Sequence, residues 1–380
     1  MDKPTQTPMS MQMADTMIKI HKESRWHYHH GLLMYAIHQV GELYGEKKYI
    51  DFNRKYIDEF VQEDGSIRTY SNDEYNLDQI NPGKNLFQVW KIDRNEKYRK
   101  AIEVLRDQLH GHPRTASRGF WHKKIYPHQM WLDGLYMQGP FYAEYGKVFN
   151  DPETFDDLGH QIWLLETHAR DPKTGLFYHA WNESKEQPWA NKKTGCSPHF
   201  WGRAMGWFGV ALVDILDFFP ENHKDRAGII AVLNRFCEAA AKVQDPSGMW
   251  WQILDLGGKE KNYLESSCSS MFVLAMAKGV RMGYLDEDRY LPLAKKGFQS
   301  LLDNQISRDD DGLPHLTGTC LVAGLGVYKP DMDYRDGSYD YYVSEEIVTD
   351  DYKGVGPFML AALELERAGQ GAARVTEKEA

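Results

Sequence analysis

A single carboxylate stands among large apolar residues in the stretch YPHQMWLDGLYMQGPF, residues 126–141. Asp133 follows Met, Trp and Leu and precedes Gly, Leu and Tyr. Burying an unpaired charge is costly, and burial raises the pKa of a carboxyl group. A carboxyl group that keeps its proton near neutral pH can act as a general acid. The alternative is an ordinary helix N-cap, but caps are usually exposed, so the pattern favours a catalytic Asp133.

A second carboxylate, Asp78, precedes a predicted helix start in the stretch YNLDQINPGK. Taken alone, it has the features of a turn residue. Two carboxyl groups in different environments can divide acid and base work, one protonated and the other ionised. We therefore predict that Asp78 is the partner of Asp133.

Other candidates are suited to binding an acidic sugar. Arg203, in FWGRAMGW, can form two parallel hydrogen bonds with a carboxylate, and Trp201 and Trp207 on either side offer apolar walls. A buried arginine paired with an aspartate is the alternative for Arg203, and aromatic residues also fill cores. Three further candidates are Tyr28, His128 and His179. The two histidines could instead have structural roles.

Metal and cofactor signatures are weak. The run HYHH, His27 to His30, is dense in possible ligands but has no matching carboxylate arrangement nearby, so we expect no metal there. The sequence has no Walker loop, no G-x-S-x-G and no H-E-x-x-H, and we expect no cofactor.

The elements that must position these residues form a repeat. A segment rich in small and apolar residues occurs six times, and a more amphipathic, charged segment follows each of the first five copies. A helix that is apolar on most sides is buried, whereas an amphipathic helix keeps one face in water. The copies begin at Trp26, Asn81, Met130, Phe200, Ser267 and Gly354.

This pattern predicts an all-α fold, an (α/α)6 double-ring barrel of six inner and six outer helices. The N-terminal residues would supply the outer helix for the first inner one. Alternating antiparallel helices would bring the outer-to-inner loops, and the candidate residues with them, to one mouth. An open helical solenoid, which has no central funnel, is the alternative. No linker divides the chain, so residues 1–369 are predicted to form one domain, with 370–380 a frayed polar tail.

Composition narrows the class of protein. A formal net charge of -10 with no clustered Lys and Arg argues against a nucleic-acid partner. No window approaches the roughly 20 apolar residues of a membrane span. The cysteines are far apart, which fits reduced thiols: Cys196, Cys237, Cys268 and Cys320. We expect a cytoplasmic protein that is a monomer or a weak homo-oligomer.

The motifs HQMWLDGLYM, WGRAMGW and KGVGPFMLA together resemble glycoside hydrolase family 105, the unsaturated rhamnogalacturonyl hydrolases. The resemblance covers most of the chain, and a related family, the unsaturated glucuronyl hydrolases, shares the fold and the acidic pair. It implies hydration of the C4=C5 double bond in an unsaturated uronic acid, without a metal or organic cofactor. By this resemblance Asp133 is the acid/base residue and Asp78 the second acidic residue. The substrate contacts that it implies are Tyr28, His128, His179, Trp201, Arg203 and Trp207.

The leading hypothesis is an enzyme that removes unsaturated galacturonate from the non-reducing end of rhamnogalacturonan oligosaccharides. One alternative is an unsaturated glucuronyl hydrolase, and another is a non-catalytic carbohydrate-binding barrel. A sugar epimerase would need paired histidines, for which His179 and His315 are the candidates. The last loop, residues 336–354, has no assignment from sequence.

Overall fold

The computed structural model describes residues 7–327 and 333–378. The helices are α1 (Met9–Ile20), α2 (Tyr28–Tyr44), α3 (Lys47–Phe60), α4 (Gly83–Asp93), α5 (Glu96–Gly111), α6 (Leu132–Phe149), α7 (Glu153–His168), α8 (Gly202–Leu216), α9 (Arg226–Lys242), α10 (Ser266–Arg281), α11 (Glu287–Asn304), α12 (Tyr339–Ser344) and α13 (Tyr352–Lys378). Two 3-10 turns, Asn72–Glu74 and Leu77–Gln79, precede α4.

Burial separates the helices into two rings, as predicted. Every residue of α8 is buried, and its sequence carries apolar or small residues on all sides. The outer helix α3, in contrast, buries one stripe and exposes its lysines and its carboxylates. This difference follows from the sequence, because only an amphipathic helix can face water on one side. The inner helices are α2, α4, α6, α8, α10 and α13, and the outer helices are α1, α3, α5, α7, α9 and α11.

The inner ring is closed. Each inner helix packs against the next, and α13 packs against α2. Small residues permit the close approach: a Cβ added to Gly206 would lie 2.7 Å from the sulfur of Met271, and one added to Gly356 would lie 2.6 Å from Leu32 Cγ. The (α/α)6 barrel is therefore confirmed, and an open solenoid is excluded.

The connections from outer to inner helices contain short antiparallel strand pairs. The described residues contain six short strands in three two-stranded sheets. The first sheet pairs the residues just before α6 with those just after the turn that follows α7, in the register Trp131↔Ala180. The strands are β1 (Gln129–Trp131), β2 (Ala180–Asn182), β3 (Ile306–Arg308), β4 (Pro314–Leu316), β5 (Thr319–Cys320) and β6 (Ile347–Val348).

The end of the chain is more helical than the sequence predicted. Helix α13 continues as far as Lys378, into residues 370–380, which we expected to fray. The boundary at residue 369 stays a prediction. Among the described residues, the helices are all too short or too polar to cross a membrane.

Candidate active site

A cavity of about 220 Å³ lies where inner helices α2, α6 and α13 begin. It contains three of the predicted site residues, Tyr28, Asp78 and Asp133. Its wall is mostly polar or aromatic and consists of His27, Tyr28, His29, Asp78, His122, Lys123, Tyr126, Trp131, Asp133, Met137, Val322, Ala323, Arg335 and Lys353.

The ladder between β1 and β2 brings Asp133 and His179 together. Asp133 follows Trp131 by two residues, His179 immediately precedes Ala180, and Trp131 and Ala180 are paired across the ladder. The backbone N–H of Leu132 donates to the carbonyl of His179 at 3.1 Å. As a result, His179 Nε2 lies 3.5 Å from Asp133 Oδ2.

Asp133 lies in the first turn of α6 and is largely shielded from water. Trp131 occupies the N-cap position, so Asp133 is not the cap that was its alternative interpretation. Its side chain is 13% exposed. Two buried atoms, Asp133 Oδ2 and His179 Nε2, have no hydrogen-bond partner in this arrangement. An unsatisfied buried carboxylate oxygen at a cavity wall suits a group that binds or protonates a ligand.

Asp78 is held by a buried cation. Asn76 forms an isolated antiparallel bridge with Lys123, and its side chain accepts a hydrogen bond from the N–H of Asp78. These contacts place Lys123 Nζ 2.5 Å from Asp78 Oδ2. Burial alone would raise the pKa of Asp78, but the positive charge of Lys123 outweighs it and holds this pKa well below its ordinary value.

Two histidines also face Asp78 without adding charge near neutral pH. His27 Nε2 lies 3.5 Å and His122 Nε2 lies 3.7 Å from the Asp78 carboxylate. Burial lowers the pKa of each histidine to about 4. Both imidazoles are therefore neutral near pH 7, which leaves Lys123 as the cation that keeps Asp78 ionised.

His122 lies beside Asp78 and also beside the start of α6, which carries Asp133. Its ring stacks on Trp131 with centroids 4.6 Å apart and planes 13° apart. A Cβ added to Gly134 would lie 3.3 Å from His122 Nδ1, so the glycine next to Asp133 leaves room for this ring. The His122 ring thus lies between Asp78 and the first turn of α6.

Tyr28 lines the cavity, and Trp207 packs behind it. Tyr28 begins α2 and lines the cavity, and burial raises the pKa of its hydroxyl group well above the ordinary value. Trp207 lies beneath it, with the two rings 6.1 Å apart and nearly perpendicular. Trp207 also stacks on Tyr136 at 4.7 Å. Trp207 is not among the cavity-lining residues, so its predicted substrate contact stays a prediction.

Arg203 and Trp201 lie behind the cavity wall. The guanidinium group of Arg203 donates to the carbonyls of Cys320 and Leu321 and to Ser267 Oγ, and it lies 4.9 Å from the Trp201 ring. These contacts connect α8 to the segment that leads into the last loop. Substrate contact by Arg203 and Trp201 stays a prediction.

His128 is an exposed residue on the turn before β1. It has a positive φ of 59°, and its carbonyl accepts hydrogen bonds from Glu183 N and Asn182 Nδ2. It is not among the residues that line the cavity, so its predicted substrate contact also stays a prediction.

The sequence analysis missed several wall residues. His122 and Lys123 lie in the connection that leads to α6 and Asp133, but a histidine and a lysine in a loop carry little signal on their own. Arg335 and Lys353 lie in or next to the unassigned last loop. His27 belongs to the HYHH run, which we had considered only as a metal site.

One group of described residues has ligand atoms close enough together to hold a metal ion, but it lies outside the cavity. It consists of Asp156, His223 and Asp225. The ammonium group of Lys224 pairs with both of its carboxylates, so a cation already occupies this position. We assign no metal to it.

The fold and the cavity define a double-ring helical enzyme of the glycoside hydrolase class. The chain belongs to Glycosyl Hydrolase Family 88, whose profile matches residues 1–369. It is similar to a C. acetobutylicum ATCC 824 glycoside hydrolase of family 105, with a TM-score of 0.92 and 49% identity, over 95% of this chain and 100% of that one. The resemblance to family 105 is confirmed.

Two further relatives are similar in sequence. The unsaturated rhamnogalacturonyl hydrolase YesR of Bacillus subtilis is 26% identical over 320 residues, which is 83% of this chain and 84% of YesR. A protein of Agrobacterium fabrum is 38% identical over 228 residues, which is 59% of this chain and 96% of that protein. The chain is therefore a glycoside hydrolase by family.

Proposed function

We propose that this enzyme releases unsaturated galacturonic acid from the non-reducing end of rhamnogalacturonan oligosaccharides. The observation that carries the proposal is the pair of carboxylates in one cavity, Asp78 ionised beside Lys123 and Asp133 beside the imidazole ring of His179. The name of the relative YesR supports the galacturonyl substrate.

The cavity wall suits an acidic sugar. Three basic residues, Lys123, Arg335 and Lys353, line it together with two acidic ones, Asp78 and Asp133. A local excess of positive charge attracts an anion even in a protein whose net charge is -10. The aromatic faces of Tyr126 and Trp131, which stack at 4.8 Å, can support a sugar ring.

In the proposed reaction Asp133 donates its proton to C4 of the unsaturated sugar, and positive charge develops at C5 and the ring oxygen. Water adds to C5, and the ionised Asp78 accepts its proton. The hemiketal then opens to a ketone, which frees the anomeric carbon to release the next sugar. One water molecule is consumed. Since no displacement occurs at the anomeric carbon, the carboxylate spacing rule of retaining and inverting glycosidases does not apply.

The test uses unsaturated disaccharides made by a polysaccharide lyase. Loss of the ultraviolet absorbance of the conjugated double bond reports turnover. We expect faster turnover of the galacturonyl–rhamnose disaccharide than of a glucuronyl disaccharide, and none of the saturated galacturonyl–rhamnose disaccharide. Preference for the glucuronyl compound would support the alternative hydrolase instead.

The role of Asp133 is tested in the same assay. Asp133→Asn should lower kcat by roughly 10²-fold or more, because general acid catalysis contributes about 10²–10⁴-fold. Asp303→Asn, on the exposed face of α11, is the control. A rate for Asp133→Asn within about threefold of the unsubstituted enzyme, under roughly 1 kcal/mol, contradicts the assignment.

Cellular location and assembly belong to the same proposal. All four cysteines are free and buried, which favours a reducing compartment such as the cytoplasm. We propose a monomer or a weak homo-oligomer with no nucleic-acid partner, and light scattering coupled to size-exclusion chromatography tests the assembly state.

A further inference from the structure

The second ring nitrogen of His179 has a partner in the last loop. Tyr342 lies on the short helix α12, and its hydroxyl oxygen is 2.7 Å from His179 Nδ1. Both side chains are buried, with 0% of each residue exposed. His179 is therefore enclosed between Tyr342 on one side and Asp133 on the other.

The chemistry of the two groups sets the direction of this hydrogen bond. Burial raises the pKa of Tyr342 well above its ordinary value, so the hydroxyl group keeps its proton. In the described structure, His179 Nδ1 is the acceptor within reach of this hydroxyl group. Nδ1 of a neutral imidazole can accept only when the ring proton is on Nε2. The Nε2–H group then faces Asp133 Oδ2 at 3.5 Å.

We propose that Tyr342 is a positioning residue that holds His179 in the Nε2–H tautomer, so that a ring N–H group faces Oδ2 of Asp133. This rests on the proposed function, in which Asp133 is the acid. If the ring proton were on Nδ1, a bare Nε2 would face Asp133 and could accept the proton that C4 must receive. An Nε2–H group can only donate to Oδ2, which leaves the other oxygen, Oδ1, to carry that proton.

The helix that carries Tyr342 is fixed to the barrel. The Tyr342 ring stacks on Trp201 at 6.0 Å with planes 27° apart. Gln252 connects the same two residues, because its Nε2 donates to the carbonyl of Tyr342 at 3.1 Å and its Oε1 accepts from Trp201 Nε1 at 3.1 Å. Trp201 thus supports the tyrosine in this arrangement. Removal of the Tyr342 hydroxyl group alone leaves these contacts in place.

Several other titratable and charged groups lie near the pair. They come from the connection before β1, from α2, from the 3-10 turn before α4, from α8 and from the segment before α12. Burial lowers the pKa of His122 to about 4 and raises that of Tyr28 well above its ordinary value. The pKa of Asp78, below its ordinary value, keeps that group ionised. The fixed cations in this shell are Lys123, Arg203 and Arg335.

The first experiment needs no substrate. Long-range ¹H–¹⁵N spectra of histidine-labelled protein report which ring nitrogen carries the proton. The unsubstituted enzyme should show His179 with a protonated Nε2 and a bare Nδ1, and Tyr342→Phe should lose this fixed tautomer. Tyr339→Phe is the matched control, because Tyr339 lies on the same helix and its hydroxyl group donates to the carbonyl of Glu260 instead.

The second experiment separates kcat from KM for the unsaturated disaccharide. In Tyr342→Phe a bare Nε2 can face Asp133, so kcat should fall about tenfold, the equivalent of one hydrogen bond. KM should stay within about twofold, because the cavity wall is unchanged. Tyr339→Phe should change neither quantity. Thermal unfolding verifies that both variants fold.

The outcomes separate the two proposals. A protonated Nδ1 in the unsubstituted enzyme, or an unchanged His179 tautomer in Tyr342→Phe, overturns the role of Tyr342. An equal loss of kcat in Tyr342→Phe and Tyr339→Phe also overturns it, since a merely structural role gives that result. Absent turnover combined with tautomer loss only in Tyr342→Phe supports the hold of Tyr342 on His179 and overturns the proposed function alone.

Discussion

The ammonium group of Lys123 lies 2.5 Å from the carboxylate of Asp78, and both side chains are buried in the wall of the cavity. The two residues are far apart in sequence. The bridge between Asn76 and Lys123 brings them together. Removing one partner of such a buried pair is more destabilising than removing both, because it leaves the other partner as an uncompensated buried charge.

The first prediction concerns this asymmetry. Lys123→Met should lower the free energy of unfolding by about 3–5 kcal/mol, because it leaves the Asp78 carboxylate buried without its cation. The double variant Asp78→Asn/Lys123→Met should lose distinctly less. Urea unfolding of the two single variants and the double variant measures the coupling. Additive effects would show that the pair is not coupled in solution.

The second prediction gives the pH dependence of stability. The folded-state pKa of Asp78 is depressed below the unfolded value of about 3.9, so its contribution is fully present above that pH. The contribution should disappear as pH falls from about 4 toward the lower folded-state pKa. The stability difference between the unsubstituted enzyme and Asp78→Asn, from urea unfolding, should therefore shrink with acid. A difference that grows toward low pH contradicts the prediction, and Asp303→Asn controls for net charge.

The third prediction concerns the glycine after Asp133. In Gly134→Ala the added methyl group would lie 3.3 Å from His122 Nδ1, so His122 or the first turn of α6 must shift. We expect kcat to fall roughly tenfold or more, because small displacements of catalytic groups are costly. In Gly111→Ala the added group meets Tyr75 Oη at the same 3.3 Å on an exposed end of α5. That control should retain full activity, and equal losses in both variants would rule out a local effect at the site.

The fourth prediction concerns Arg203. Arg203→Lys should lower the free energy of unfolding by about 1.5–3 kcal/mol, because a lysine cannot reproduce the guanidinium bonds to the carbonyls of Cys320 and Leu321. Unfolding in urea measures this. Unchanged stability with a raised KM for the unsaturated disaccharide would favour the direct substrate contact that the sequence suggested.

The ring architecture was predictable because the sequence of each helix indicates whether that helix is buried or faces water on one side. The inner series is apolar on most sides and the outer series is amphipathic, and these patterns are local in sequence. The shielded position of Asp133 on the cavity wall was predictable for the same reason, since its unusual neighbours are adjacent in the chain. Asp78 was recognised only as a partner of Asp133, because its own surroundings in sequence are those of an ordinary turn.

The rest of the wall depends on contacts between distant segments. No local pattern around Lys123 shows that its ammonium group meets Asp78, because an isolated bridge of one residue pair determines that contact. The separation between His179 and Tyr342 is 163 residues, and Tyr342 lies in the loop that had no assignment. His128 was predicted as a substrate contact, whereas His122, which the sequence analysis did not consider, is the histidine of this connection that lines the cavity.

The ladder of three residue pairs between β1 and β2 has a consequence for redesign of this enzyme. We expect residues added to the connection that follows β2 to leave the register of the ladder unchanged, because Asp133 and His179 both precede this connection in the chain. A one-residue insertion between Gly175 and His179 is different. If the ladder slips by one pair, alternate side chains exchange faces, and the imidazole leaves the carboxyl group it now faces.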